Sequence, residues 1–306
     1  MLTYVIRRLA IALAVLWGVA TIVFLLLHVL PGDPAETILA GSGASQAEIN
    51  QTRQQLGLDD PLPIQYGGYL WNTLRGDLGR SFFSNRPVTL TIAEQLPATL
   101  QLAAAALLVA VVVGFSLGIL AALRADTWID QMAMGVAVLG VSVPVFWSGL
   151  LLIWIFSVSL NWLPATGADS WRHLVMPAIV LGLVGAGPIA RMTRASLLNA
   201  LRADYITMAQ AKGLSQTLVI SRHALRNAVI PVITLIGLQA GFLLGGTVIT
   251  EAVFARPGLG RLVVDAILWK DLPIVQGVVL LIAATYVVIN LLVDLVTLTL
   301  DPRLRR

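Results

Sequence analysis

The sequence predicts an all-α membrane protein of six transmembrane helices, with both termini cytoplasmic and a large external insertion after the first helix. Three observations carry this. The 306 residues are 58% hydrophobic and only 12% charged, with a mean hydropathy of +0.86, more apolar than a soluble domain, which is roughly half apolar. Long charge-free runs recur along the whole chain, each near the ~20 residues that a helix needs to cross a bilayer. Basic residues also collect in alternate segments. With the termini inside, the cytoplasmic segments hold 12 Lys and Arg against 4 acids, and the external segments hold 8 against 11. That is the positive-inside pattern, although long loops weigh little in it.

Arg7 and Arg8 precede the apolar run Leu9–Leu30, 22 residues long, or about 33 Å of helix. It is too long for a signal peptide and has no small-residue cleavage site, so it reads as a retained first span. Pro31-Gly32-Asp33-Pro34 ends it. Residues 31 to about 95 form a polar insertion in which Ser45–Leu56 predicts an amphipathic helix opened by a Ser45/Glu48 capping box. Trp71, Phe82 and Phe83 read as interfacial anchors. The insertion is either an external elaboration that touches a partner or substrate, or a surface cover.

Thr99–Leu123 is the second span, with Gly114 and Gly118 at the spacing that lets helix backbones approach. A polar turn with Arg124, Asp126 and Asp130 leads to the third, Met132–Leu160, kinked at Pro144. After the loop Asn161–His173 comes the fourth, Leu174–Ala190, short and punctuated by Pro177, Gly182, Gly185, Gly187 and Pro188. Helices so broken face protein or a cavity rather than lipid. The fifth is Ile230–Ile249. An external polar segment, Thr250–Gln276, precedes the sixth, Gly277–Leu300. Asp294 within it reads as a carboxylate near the cytoplasmic end that snorkels or pairs with Arg303; the alternative is a pathway or inter-subunit contact.

Several chemistries are excluded. The chain has no cysteine, so thiolate catalysis and Cys-ligated metals are out. It has no Walker A, HExxH or GxSxG pattern. His28, His173 and His223 fall at a span end, an external loop and a cytoplasmic segment, and cannot meet at one metal. No catalytic or metal residue is expected. An ion channel would need polar or charged rings on pore helices, and an intramembrane enzyme a buried catalytic pair; the spans offer neither.

One stretch stands out, Asp204–Pro231 (DYITMAQAKGLSQTLVISRHALRNAVIP). Asp204 predicts an N-cap, and Tyr205, Met208, Ala209 and Lys212 then share one face of a short helix. Gly213 closes it in the left-handed region. Ser215 caps a second helix carrying Arg222, His223 and Arg226 before Pro231 opens the next span. Binding to anionic lipid would account for the basic charge, but not for two short helices around Ala211-Lys212-Gly213-Leu214, which point to partner docking.

AQAKGL followed by RHALRNAVIPV resembles the ATPase-docking loop of permease subunits in ABC importers, in particular the dipeptide/oligopeptide branch. VIRRLA, HVLPGDP, LGLDDPLPIQYGGYLWNTLRGDLGRSF, SVPVFWSGLLLIWIF, LPATG, ITEAVFARPGLGRL and NLLVDLVTLTLDPRLRR extend the likeness over essentially the whole chain. The superfamily's Glu six residues before the loop glycine is Thr207 here.

The resemblance implies a type I ABC importer permease fold in a bacterial inner membrane. Residues 1–30 would form the tail and first span, 31–98 the external insertion, and 99–306 a five-helix core with a coupling loop at about 191–229. It implies a homologous second permease, two ABC ATPase subunits that bind ATP and Mg²⁺, and an external substrate-binding protein. The permease itself would have no cofactor, no ATPase site and no nucleic-acid partner. Tyr205, Met208, Ala209, Lys212, Gly213 and Leu214 would lie in or beside the coupling helix, braced by Arg222, His223 and Arg226. Glu251, Arg256, Pro257 and Gly258 are the residues expected at an external gate or partner contact. The implied solutes are di- and oligopeptides, with nickel chelates and glutathione as alternatives.

Overall fold

A computed structural model describes residues 2–29, 34–39, 45–55 and 57–300. Among them every regular element is helical, apart from one antiparallel bridge between Arg80 and Pro87. The helices are α1 (Leu2–Val29), α2 (Pro34–Leu39), α3 (Gln46–Gln55), α4 (Leu62–Leu74), α5 (Val88–Leu123), α6 (Trp128–Ser142), α7 (Val145–Leu152, continued by a π-helical stretch Ile153–Ser159) and α8 (Arg172–Leu201). Then follow α9 (Asp204–Ala211), α10 (Gln216–Leu218), a π-helical stretch Val219–Ala224, α11 (Leu225–Val253), α12 (Leu259–Leu268) and α13 (Leu272–Leu300). The break expected at 31–33, the basic tail and the Arg303 expected to pair with Asp294 lie outside the described residues.

Among the described residues five stretches are long and apolar enough to cross a membrane: Ile6–Leu26, Val88–Leu123, Arg172–Leu201, Gln216–Val253 and Leu272–Leu295. The third expected span differs in kind. It is a pair, α6 and α7, bent by 102°. The cause is local. Proline disfavours the α region for the residue before it, and ahead of Pro144 Val143 takes the extended alternative at φ −85°, ψ 127°. Counted as one, the pair is the sixth span.

Boundaries moved where polarity and helicity part company. The fourth span was expected to stop at Ala190, but α8 runs on to Leu201 and absorbs Pro177 and Pro188 without a break. Pro231 does not open the fifth span but lies inside α11. The polar segment after α11 contains α12, whose Val263 and Ala266 are buried while Ile267 and Leu268 are exposed.

The described chain forms two compact units, one holding 98–260 with 286–300, the other 2–97 with 261–285. In the first, α8 is the central helix, and Met176, Leu181, Ile189 and Leu197 on it are fully buried. Gly114 and Gly118 of α5 let that helix meet α8 backbone to backbone. A Cβ on either would come within 2.6 Å of the Ala186 or Ala190 carbonyl oxygen. In the second unit, Phe24 of α1 packs on Tyr66 and Tyr69 of α4 at ring distances of 5.2 and 5.5 Å. The loop 75–87 is tied to the start of α13 by Asp271, which is buried and accepts hydrogen bonds from Ser81 Oγ and from Phe82 N at 3.0 Å. The Ser45/Glu48 capping box forms as expected. Ser45 N donates to Glu48 Oε2 at 2.7 Å and Glu48 N donates to Ser45 Oγ at 3.4 Å. The Ser45 donors hold the Glu48 carboxyl below its ordinary pKa.

Candidate functional site

The Asp204–Pro231 block sits on the end of α8. The N-cap is Ala203, extended at ψ 146°, and Asp204 is already the first helical residue, with no side-chain cap bond. The face expected from the sequence holds except at its edge. Ile206 and Ala209 turn inward, into an apolar cluster with Ala122, Leu197, Ala200, Val219, Ala224 and Ala228. Tyr205, Met208 and Lys212 share the outward face, Met208 being 67% exposed. Ala209 therefore belongs to the anchor of the helix and not to its free face.

The end of α9 is a Schellman motif. Gly213 N donates to the Gln210 carbonyl at 2.9 Å and Leu214 N to the Ala209 carbonyl at 3.4 Å, with Gly213 at φ +78°. Leu214 packs against the same apolar cluster, the hydrophobic contact that usually accompanies this termination. Ser215 occupies the N-cap position of α10 at ψ 145° but its side chain makes no cap bond. α10 then continues through the π-helical stretch and α11 as one run.

Arg222, His223 and Arg226 lie on that run. Arg222 and Arg226 are exposed and His223 is half-buried. Among the described residues their side chains make no hydrogen bond or ion pair to α9, so the bracing expected from them is not polar. The apolar cluster holds the block in place. Tyr205 also borders a cleft of about 450 Å³, together with Ser196 and Asn199 of α8 and Asn227 of α11.

Nearby, α6 and α8 are clamped by an ion pair that sequence reasoning missed. Arg194 Nε donates to Asp130 Oδ1 at 2.7 Å and a terminal N–H donates to Oδ2 at 2.5 Å. Asp130 is buried and also accepts from Asp126 N at 3.0 Å. The partners are 64 residues apart, and no spacing rule connects them.

The other expected set, Glu251, Arg256, Pro257 and Gly258, forms a tight corner after α11. Glu251 is fully buried. Its Oε1 accepts from Thr99 Oγ at 2.7 Å and its Oε2 from Gly260 N at 2.7 Å. Thr99 Oγ in turn accepts from Leu259 N at 2.8 Å. Gly258 lies on the carboxylate, where a Cβ would come within 2.2 Å of Glu251 Cδ. Arg256 is also buried. One N–H donates to Gln101 Oε1 at 3.2 Å, while Nε lacks a partner. Burial lowers the Arg256 pKa and the Glu251 charge opposes that shift. Pro257 is exposed. The corner is built on a buried carboxylate that ties the end of α11 to Thr99 of α5 and to the turn at Leu259 and Gly260.

The arrangement is that of a helical membrane core bearing a short anchored helix whose Tyr205, Met208 and Lys212 face outward. Residues 114–306 match the family of binding-protein-dependent transport system inner membrane components, and residues 1–103 match its N-terminal region model. The chain belongs to this family. It is a multi-pass inner-membrane permease component of a bacterial ABC importer. The permease is 47% identical over 305 residues to the glutathione transport system permease protein GsiC of Escherichia coli K12, covering 100% of this chain and 99% of the relative. The Salmonella paratyphi A protein of the same description is likewise 47% identical over 305 residues, with the same coverage of both chains. In three dimensions the permease superposes on the MetNI methionine ABC transporter in an inward-facing conformation, with a TM-score of 0.61 at 17% identity, over 69% of this chain and 97% of that one. An amino acid ABC transporter gives 0.53 at 17% identity, over 70% and 94%. At that identity these two likenesses bear on the fold alone.

Proposed function

We propose that this permease imports short peptides of the glutathione class, received from an external binding protein and driven by ATPase subunits that grip the α9 knob. The observation that carries the solute class is the 47% identity to a glutathione permease along both full lengths. Glutathione is itself a modified tripeptide, so the reading also covers di- and oligopeptides; nickel chelates are the more distant alternative. The knob supports the mechanical half. A short helix with a Schellman stop, anchored by Ile206 and Ala209 and presenting Tyr205, Met208 and Lys212, is a stiff handle. To switch a bundle from 1:99 to 99:1 between two packings, the ATP cycle must supply about 5.5 kcal/mol of bias, and a stiff handle transmits more of it than a loose loop. The test is ATP hydrolysis by the complex reconstituted with its second permease, ATPases and binding protein. Stimulation by glutathione or short peptides, and none by nickel chelates, is expected. Stimulation by a nickel chelate alone would overturn the solute class.

A further inference from the structure

The unit formed by 2–97 and 261–285 carries a half-open cavity of about 730 Å³ that nothing in the coupling scheme uses. Its volume falls in the ~300–1,000 Å³ range of small-molecule sites. Its wall carries both charges and orphaned polar groups. Tyr69 of α4 and Gln276 of α13 both line it, and Tyr69 Oη and Gln276 Nε2 are buried without a hydrogen-bond partner. Thr73 Oγ1, one turn after Tyr69, interacts with the phenol, but the pair falls outside hydrogen-bonding geometry. Leaving such groups buried and unpaired is costly, so a cavity that keeps them calls for a polar occupant. Burial raises the Tyr69 pKa, which keeps the phenol a neutral donor. Asp77 and Arg80 line the same cavity. Arg80 gives one N–H to the Asn85 carbonyl at 2.7 Å, and Asp77 accepts from Gly79 N at 2.9 Å. Among the described residues neither has an ion-pair partner. The Asp271 tie to Ser81 and Phe82 fixes the loop that carries Asp77 and Arg80 against α13.

We propose that this cavity is a solute site for a small zwitterion with amide groups, its carboxylate held by Arg80, its ammonium by Asp77, and its amide by Tyr69 and Gln276. The inference rests on the short-peptide reading for its ligand class and adds a second binding locus within the permease chain itself. Asn72, also on the wall, supplies a further amide for the peptide backbone.

The absence of cysteine in the chain gives a local readout. Thr52→Cys, on the cavity wall, is alkylated with a maleimide in the assembled complex without binding protein, with S-methylglutathione or dialanine as the probe. Saturating probe is expected to slow labelling at least about five-fold, and Arg80→Gln to weaken the probe about ten-fold, as for a lost charged hydrogen bond. Tyr69→Phe and Gln276→Leu should also weaken it, while leaving Tm unchanged or higher because each removes an orphaned polar atom. No protection by either probe, or protection unaltered in all three variants, would overturn the site. If the probes still stimulate ATP hydrolysis through the binding protein while Thr52→Cys stays unprotected, the site fails and the transport reading stands. Protection without any such stimulation upholds the site and removes the transport reading.

Discussion

The Schellman stop of α9 allows a graded test of whether stiffness of the knob matters. Gly213 sits at φ +78° and a Cβ there would meet nothing within 4 Å, so substitution acts through backbone conformation alone. An L-residue in the left-handed region costs about 1–2 kcal/mol, less for Asn. Gly213→Ala should therefore loosen the Gly213 and Leu214 bonds by a factor of about 5–30, and Gly213→Asn by much less. Gly213→Pro is the severe case, because proline fixes φ near −65° and has no N–H, and here the Gly213 N–H bonds the Gln210 carbonyl at 2.9 Å. Hydrogen exchange across 204–218 reads the loosening, and transport per ATP hydrolysed in proteoliposomes reads its consequence. The order Asn, Ala, Pro is expected in both, with membrane insertion intact. Normal transport per ATP in Gly213→Pro, despite lost protection, would refute the idea that this stiffness couples the machine.

Other residues give further tests. Glu251→Ala strands the Thr99 hydroxyl and the Gly260 N–H in a buried corner and should destabilise by about 3 kcal/mol, read as a fall in Tm in detergent; an unchanged Tm would argue against the clamp. Gly258→Ala forces a Cβ onto the same carboxylate and should cost about 1–3 kcal/mol, and pairing it with Glu251→Ala should cost less than the sum of the two. Arg194→Ala leaves Asp130 buried and unpaired, and because Arg194 is partly solvent-exposed the loss should be near 2 kcal/mol, below the 3–5 kcal/mol of a fully buried pair. Adding Asp130→Asn should recover part of it, and no recovery would mean that the pair is not what joins α6 to α8.

The spans were legible because run length and charge suffice to define them, and α1 and α13 follow closely, whereas α5 starts at Val88 rather than at the expected Thr99. Pro144 was legible as a kink, but the 102° turn depends on Val143 leaving the helical region and on how the next helix packs. The ends of α8 and α11 were misjudged because a polar sequence marks where the membrane ends, not where hydrogen-bonded turns stop. Arg191 and Arg194 simply ride on a longer α8. At the knob, the helix, its glycine stop and its exposed Tyr205, Met208 and Lys212 were readable. The inward turn of Ala209 was not, since it lies about 100° round the helix from Met208, at the edge of the expected stripe, and the apolar cluster it packs into decides which side it joins. The Asp130–Arg194 pair, the carboxylate corner at Glu251 and the cavity beside Tyr69 and Gln276 all join residues distant in sequence. No local pattern announces such contacts.

The most direct test of the α9 knob as the ATPase grip is a short-span cross-link from Met208→Cys to the ATPase subunit in the assembled complex. The absence of any other cysteine in the chain makes its origin in the permease unambiguous. Cross-linking from position 208, whose yield changes with ATP, is the predicted result. No cross-link to the ATPase, or modification of Met208→Cys by an impermeant reagent applied from outside sealed cells, would contradict it.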